Sequence, residues 1–182
     1  MDRGRQPPVP HDPSWPAAFE EERARLAAII GADCKAVHHI GSTAIPGIYA
    51  KPVIDILVEA SSVEALDRLT PDLVAAGYIA KGEYGISGRR YFTKTNTEGI
   101  RTHHLHAYGR ASPEIERHLV FRDYLLAHPE IAQDYSRLKR DILADWRGLD
   151  YYIARKATFV VETERVAVEW NRRSAQDGMP RD

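Results

Sequence analysis

The stretch HHIGSTAIPGIYAKPVIDILVEA, residues 38–60, constrains this chain more than any other. It reads as the end of an apolar strand, a small-residue turn of Gly41, Ser42 and Thr43, a linker broken by proline and glycine, and a second strand over Val53–Val58. The second strand carries Asp55 among Val53, Ile54, Ile56 and Leu57. A carboxylate in an apolar strand is costly unless it has a hydrogen-bonding partner or a metal. The turn offers backbone N–H groups and hydroxyls that suit a phosphate. Together they predict a phosphate-and-metal site built across two neighbouring strands. The competing reading of Asp55 is structural: a carboxylate satisfied by N–H groups of the Gly41–Thr43 turn.

The rest of the chain sets this pair of strands in an α+β order. A helix is predicted near Pro16, capped by Ser14 and ended by Gly31, with Trp15, Phe19, Leu26 and Ile30 on one face. The first strand covers Ala36–Ile40. Ser61 or Ser62 caps the next helix, which turns Val63, Leu66, Leu69, Leu73 and Val74 inward, with Pro71 able to kink or split it. Three short strands follow, Tyr78–Lys81, Arg89–Lys94 and Thr102–Tyr108, with a glycine-rich turn between the first two. From Ser112 onward the pattern is helical: one helix to His128, a second with Ile131, Tyr135, Leu138, Ile142 and Trp146, and a third with Tyr152, Phe159, Val166 and Trp170. The 182 residues thus read as one domain over 14–170, its sheet portion about 35–110 and its helical portion about 112–170. A flexible proline-rich lead-in (1–13) and a frayed tail (171–182) flank it.

Net charge is −1, so nothing demands a nucleic-acid partner. The single Cys34 excludes an internal disulfide and fits a reducing compartment. No window approaches the roughly 18 apolar residues of a membrane span, and the N-terminus lacks the apolar run of a signal peptide. The expectation is a cytoplasmic protein with no membrane partner.

Several side chains can carry chemistry. His104 and His106, two apart on a strand, project to one face, and His103 to the other. Such an H-x-H pair, completed by Asp55 from a neighbouring strand, makes a workable set for a divalent ion. The alternatives are acid–base or phosphate-binding histidines without metal, or packing alone. Of His38 and His39, the second is nearer the turn and the better site candidate. Lys51, Arg89, Arg90 and Lys94 lie near strand ends, and a phosphate-bearing ligand needs at least one such cation. Lys51 and Arg90 are the candidates retained, against a solvated face. Lys156 lies four residues after Tyr152 and three before Phe159, inside an apolar stripe, where it either snorkels or points into a site. Arg122 lies similarly within its own helix and reads as a snorkelling or ion-paired residue, with Asp123 or Asp141 as partner. Glu83 reads as a turn residue. P-loop, dinucleotide-fold and serine-hydrolase signatures are missing.

Residues 38–60, RRYFTK (89–94), HHLHAY (103–108), FRDYLLAHPE (121–130) and the Tyr152–Lys156–Phe159 spacing together resemble the GrpB family, over about Trp15 to Val166. The resemblance implies a nucleotidyltransferase-like mixed sheet with flanking helices and a C-terminal helical subdomain. That superfamily's pattern is Gly-Ser after the first strand and Asp-x-Asp on the second. Gly41, Ser42 and Asp55 match it, and Leu57 stands where the second carboxylate belongs. What the resemblance implies for function is nucleotidyl or phosphoryl transfer to a small molecule, with a nucleotide or other phosphate-bearing partner. Gly41, Ser42, Thr43, Lys51, Arg90 and Lys156 would bind phosphate. Asp55, His104 and His106 would be catalytic and would hold one divalent ion, Mg, Mn or Zn. Two rivals accompany this: a non-catalytic nucleotide-binding or accessory module linked to coenzyme A metabolism, and a His/His/Asp metal-dependent enzyme of another class.

Overall fold

The structure is a computed structural model and describes residues 6–176. Five strands form one mixed sheet in the order β1-β2-β5-β4-β3. β1 (Cys34–Ile40) runs antiparallel to β2 (Ile54–Ala60), and β2 runs parallel to β5 (Arg101–Gly109). β5 is antiparallel to β4 (Arg89–Thr95), which is antiparallel to β3 (Tyr78–Ala80). Helix α1 (Trp15–Ile30) precedes the sheet and α2 (Val63–Ala75) joins β2 to β3. Three helices follow it: α3 (Pro113–Ala127), α4 (Pro129–Ala144) and α5 (Leu149–Gln176). The expected α+β class, with a C-terminal helical portion, is the one observed.

Strand alternation divides the sheet into two faces. Ile54, Ile56, Val58 and Ala60 of β2 join Leu105, Ala107 and Phe92 in a core closed by Phe19 and Leu26 of α1 and Leu66 and Leu73 of α2. The other face carries Leu57, with Ile40, Tyr108 and Ile115 of α3 packed beside it. A third cluster lies among the C-terminal helices, around Val120, Tyr124, Leu125, Tyr135 and Ala167. Ile45 and Ile48, from the linker between β1 and β2, insert into it and tie the sheet to the helices.

The helix boundaries follow their local chemistry, with several departures. Ser14 stands before α1, but its hydroxyl makes no capping bond; Asp12 instead accepts the Ser14 N–H through Oδ1 at 2.8 Å. Ser62, not Ser61, caps α2, accepting from Ala65 N at 3.2 Å. Helix α2 continues through Pro71. Val74 is 48% exposed, because the inward stripe Leu66–Leu69–Leu73 leaves it about 100° around the helix. On α5 the buried stripe passes through Thr163 and Ala167 and turns Val166 outward. That helix runs on to Gln176, past the Trp170 limit of the sequence pattern; residues 177–182 of the expected tail lie outside the described residues. In the lead-in, Val9 pairs with Ala50 through two backbone hydrogen bonds of 2.8 and 3.0 Å. Among the described residues no helix is long and apolar enough to cross a membrane.

Candidate functional site

The parallel β2–β5 register sets Asp55 opposite His104 and Leu57 opposite His106. Antiparallel β4 adds Tyr91 opposite His106, Thr93 opposite His104 and Arg89 opposite Tyr108. Alternation therefore gathers Asp55, His104, His106, Tyr91 and Arg89 on one face. β1 ends at Ile40, opposite Asp55, and the chain turns at Gly41 with φ 68°. A Cβ on Gly41 would lie 2.6 Å from Asp55 Oδ2. Only glycine allows both the left-handed backbone and so close an approach to the carboxylate.

His104 Nδ1 lies 2.9 Å from Asp55 Oδ1, and His106 Nε2 lies 3.9 Å from the same oxygen. An ionised carboxylate only accepts, so His104 Nδ1 carries the proton. Burial works to raise the Asp55 pKa, but the bonds and charges of the two histidines outweigh it and hold the carboxyl well below its usual range. The three side chains keep 29%, 16% and 15% exposure in the order Asp55, His104, His106, so solvent and a ligand can reach them. Tyr91 lies against both imidazoles, at ring distances of 5.8 and 5.2 Å. Its hydroxyl is pushed up to about 12 by burial and the Asp55 charge. His118 of α3 packs 5.2 Å from His106, and its pKa falls to about 3 because burial, His106 and Arg117 all oppose its charge. It is a neutral neighbour.

The facing wall comes from the Gly41–Thr43 turn, α4 and α5. Lys139 of α4 is fully buried; its Nζ donates to Ser42 Oγ at 2.7 Å and to the Tyr49 carbonyl at 2.8 Å, and lies 3.7 Å from the Tyr135 ring centroid. Lys156 of α5 lies with Nζ 5.1 Å from the Tyr152 ring. Burial depresses both lysines, Lys139 well below its ordinary value, with the charge of Lys156 adding to that effect and Asp55 opposing it. The Asp55 charge thus acts on two partly or wholly buried lysines whose charged form burial disfavours.

The sequence candidates distribute as follows. Asp55, His104, His106, Gly41 and Ser42 come together, and Lys156 joins them from α5. Thr43 is buried, its Oγ1 2.9 Å from His39 Nε2, and acts as a support for the turn. His39 stacks on Phe19 at 4.7 Å, and burial takes its pKa down to about 4. Lys51 lies in the loop before β2, its carbonyl accepting from Val53 N. Arg90 is not brought to the cluster. It alternates to the α2 face and is held by Asp67, with Nε and NH2 distances of 2.5 and 2.8 Å. The neighbouring Arg89 faces the site in its place, with NH1 3.4 Å from His106 Nδ1. Lys94 pairs with buried Glu22 on the α1 side. Arg122 bonds Asp123 and donates to the His39 carbonyl at 3.1 Å, pinning α3 to β1.

Lys139, His118 and Tyr135 escape the sequence reading as site residues. The signal for Lys139 is present: it lies four residues after Tyr135 and three before Ile142, the same pattern that singles out Lys156. Among the described residues no group of three or more His, Cys, Asp or Glu is arranged to hold a metal ion. Asp55 is bonded to His104, with His106 held at ion-pair distance from the same carboxylate oxygen. An open groove between α3 and α5, lined by Arg117, Glu164, Arg165 and Arg172, includes none of these side chains.

A crystal structure of the conserved protein GrpB from Enterococcus faecalis superposes with TM-score 0.84 at 39% identity, covering 90% of this chain and 98% of that one. Partial likenesses to the poly(U) polymerase Cid1 also occur, one at TM-score 0.48 and 15% identity over 69% of this chain and 38% of that one, a level that adds nothing to the reading of the site. In sequence, the UPF0157 protein YqkA of Bacillus subtilis is 44% identical over 163 residues, 89% of this chain. This chain spans about half of that relative, 47% of its length. The glutamate-rich protein GrpB of Alkalihalophilus pseudofirmus is 35% identical over 85% of this chain and 91% of its own length. A dephospho-CoA kinase of Mycolicibacterium paratuberculosis is 33% identical over 89% of this chain and 46% of its own length. The GrpB protein family model matches residues 9–165, and the chain belongs to the GrpB family.

Proposed function

We propose that this protein is a phosphoryl- or nucleotidyl-transferase-like protein acting on a small molecule rather than on a nucleic acid. The observation that carries the reading is Lys139, a lysine wholly buried without a carboxylate in hydrogen-bonding contact, whose charged form burial disfavours. A lysine in such a place tends to give up its charge, and a phosphate close to the two lysines and Ser42 would restore it. Asp55 orients the His104 ring by accepting the Nδ1 proton, which leaves Nε2 as a proton acceptor. In the proposed step an acceptor hydroxyl attacks phosphorus, its proton passes to His104 Nε2, and the bond from phosphorus to the leaving phosphate oxygen breaks. Lys139, Lys156 and Arg89 neutralise the charge that develops on the phosphate oxygens.

The second reading is a binding module, favoured by Leu57, wholly buried where the superfamily pattern carries its second carboxylate. The match to a protein named dephospho-CoA kinase supports a ligand of the coenzyme A kind for such a module. Incubation with α- or γ-labelled ATP, GTP, CTP and UTP and a panel of small hydroxyl and phosphate acceptors separates the readings. Transfer that is lost in Asp55→Asn and Lys156→Met supports the transferase. Nucleotide or coenzyme A binding without transfer, under any divalent ion, supports the module. Titrating Mg, Mn and Zn into the assay asks whether Asp55 and His104 exchange their hydrogen bond for an ion shared with His106.

A further inference from the structure

The loop between β3 and β4, residues 81–88, holds a feature that the phosphate reading leaves unused. Tyr84 has φ 46°, and it is the only non-glycine among the described residues with a positive φ. Its neighbours Gly82, Gly85 and Gly88 share that region at φ 61°, 85° and 75°. A bulky side chain there is a genuine outlier, and such strain persists where the surroundings over-determine it. They do so here. Arg89 NH2 donates to the Tyr84 carbonyl at 2.7 Å, Arg89 Nε donates to the Glu83 carbonyl at 3.1 Å, and the Glu83 carboxylate accepts Gly88 N–H at 2.7 Å. Arg89 is itself buried, with its guanidinium 4.9 Å from the Tyr91 ring.

The result is a tyrosine ring in a set position, and that position is informative. Tyr84 stacks on Tyr91 with centroids 5.1 Å apart and planes 24° apart. Tyr91 in turn lies against His104 and His106. One face of Tyr84 is thus covered by the site's own aromatic wall, while the residue as a whole remains 68% exposed. A ring this open contributes little to the core. At a glycine-like position just before Gly85, glycine would relieve the strain at no visible cost in packing. What glycine cannot supply is a flat, fixed, apolar surface one ring away from the histidines.

We propose that the outer face of Tyr84 is a stacking platform for a planar ring, so that the phosphate-bearing substrate is a nucleotide with its base held at the rim of the site. The proposal rests on the phosphate reading above and deepens it. The arrangement suits any base, because stacking uses the π-face and reads no edge pattern. Arg89 couples the two halves of the substrate site, since the same guanidinium fixes the Tyr84 loop and reaches His106 Nδ1.

Calorimetric titration of the full chain with ATP, UTP and inorganic tripolyphosphate tests it, alongside thermal melts of Tyr84→Gly, Tyr84→Ala and Tyr84→Trp. Tyr84→Gly should melt at or above the parent temperature, because the left-handed strain is relieved, and yet bind nucleotides roughly 5- to 150-fold more weakly, the loss of one base stack. Tyr84→Trp should retain nucleotide affinity. Tripolyphosphate affinity should be unchanged in all three. Nucleotide affinity unchanged in Tyr84→Gly overturns the platform and leaves the phosphate site standing. Equal losses for nucleotide and tripolyphosphate also overturn it, and make the loop a support for Arg89 instead. A parent protein that binds neither ligand overturns the phosphate reading and the platform with it.

Discussion

At the scale of single residues, the site depends on contacts made at the limit of close packing. Gly31 and Gly41 both have positive φ, but an added Cβ meets nothing within 4 Å at Gly31 and meets the Asp55 carboxylate at Gly41. Gly31→Ala should therefore cost only backbone strain, about 1 kcal/mol. Gly41→Ala should cost about 1–3 kcal/mol more, because Asp55 must move off its bond to His104. Chemical denaturation of the two variants side by side isolates the clash. Lys139 has a different signature. Its folded pKa lies below the unfolded value near 10.5, so between the two the unfolded chain binds more protons and stability rises with pH. The parent should gain stability as pH climbs toward about 10, and Lys139→Met should flatten that rise. An unchanged slope in the variant would show that burial does not depress Lys139.

At the scale of elements, the β1–β2 linker is the joint between sheet and helices. Ile48 is wholly buried within the helical cluster, although it belongs to the chain segment that also carries the Gly41–Thr43 turn. Ile48→Ala should cost about 2–5 kcal/mol, whereas Leu126→Ala, at a position 45% exposed, should stay within about 0.5 kcal/mol by the same melts. The elements themselves were largely legible, because strand alternation and helical stripes are periodic and local. Every strand appears within two residues of its expected bounds, and Ser112 caps α3 as its SPEI start suggests, accepting from Glu114 N at 3.4 Å. The choice between Arg89 and Arg90 was not legible. It depends on the register of β4 against β5, which no local pattern states. Nor was Lys139, whose partners Ser42 and Tyr49 lie ninety or more residues away in sequence. Val74 and Val166 were misplaced because apolar residues adjoining a stripe look like members of it.

At the scale of the whole molecule, burial of neutral histidines sets the response to acid. His39 and His118 have folded values of about 4 and 3, below the unfolded value of 6.5. Their contribution is complete above pH 6.5 and is lost as pH falls toward those lower values, since the unfolded chain takes up protons first. Unfolding free energy measured from pH 7 down to 4 should fall steadily, and His118→Gln should make the fall shallower.

The N-terminal strap carries a further consequence. Val9 grips Ala50 by two backbone bonds, and Ala50 adjoins Tyr49, whose carbonyl anchors Lys139 and whose N–H donates to Ser136 Oγ. This strap is a single isolated bridge, not part of the sheet, so it belongs to the class of contacts that open locally at a small fraction of the global unfolding free energy. Peeling it back would draw Ala50 out of the sheet core and loosen the loop whose Tyr49 carbonyl anchors Lys139, while Ile48 still holds that loop to the helical cluster. On gentle warming Lys139 should therefore lose its anchor before the sheet as a whole opens. Amide exchange at Ala50 would register that loss first.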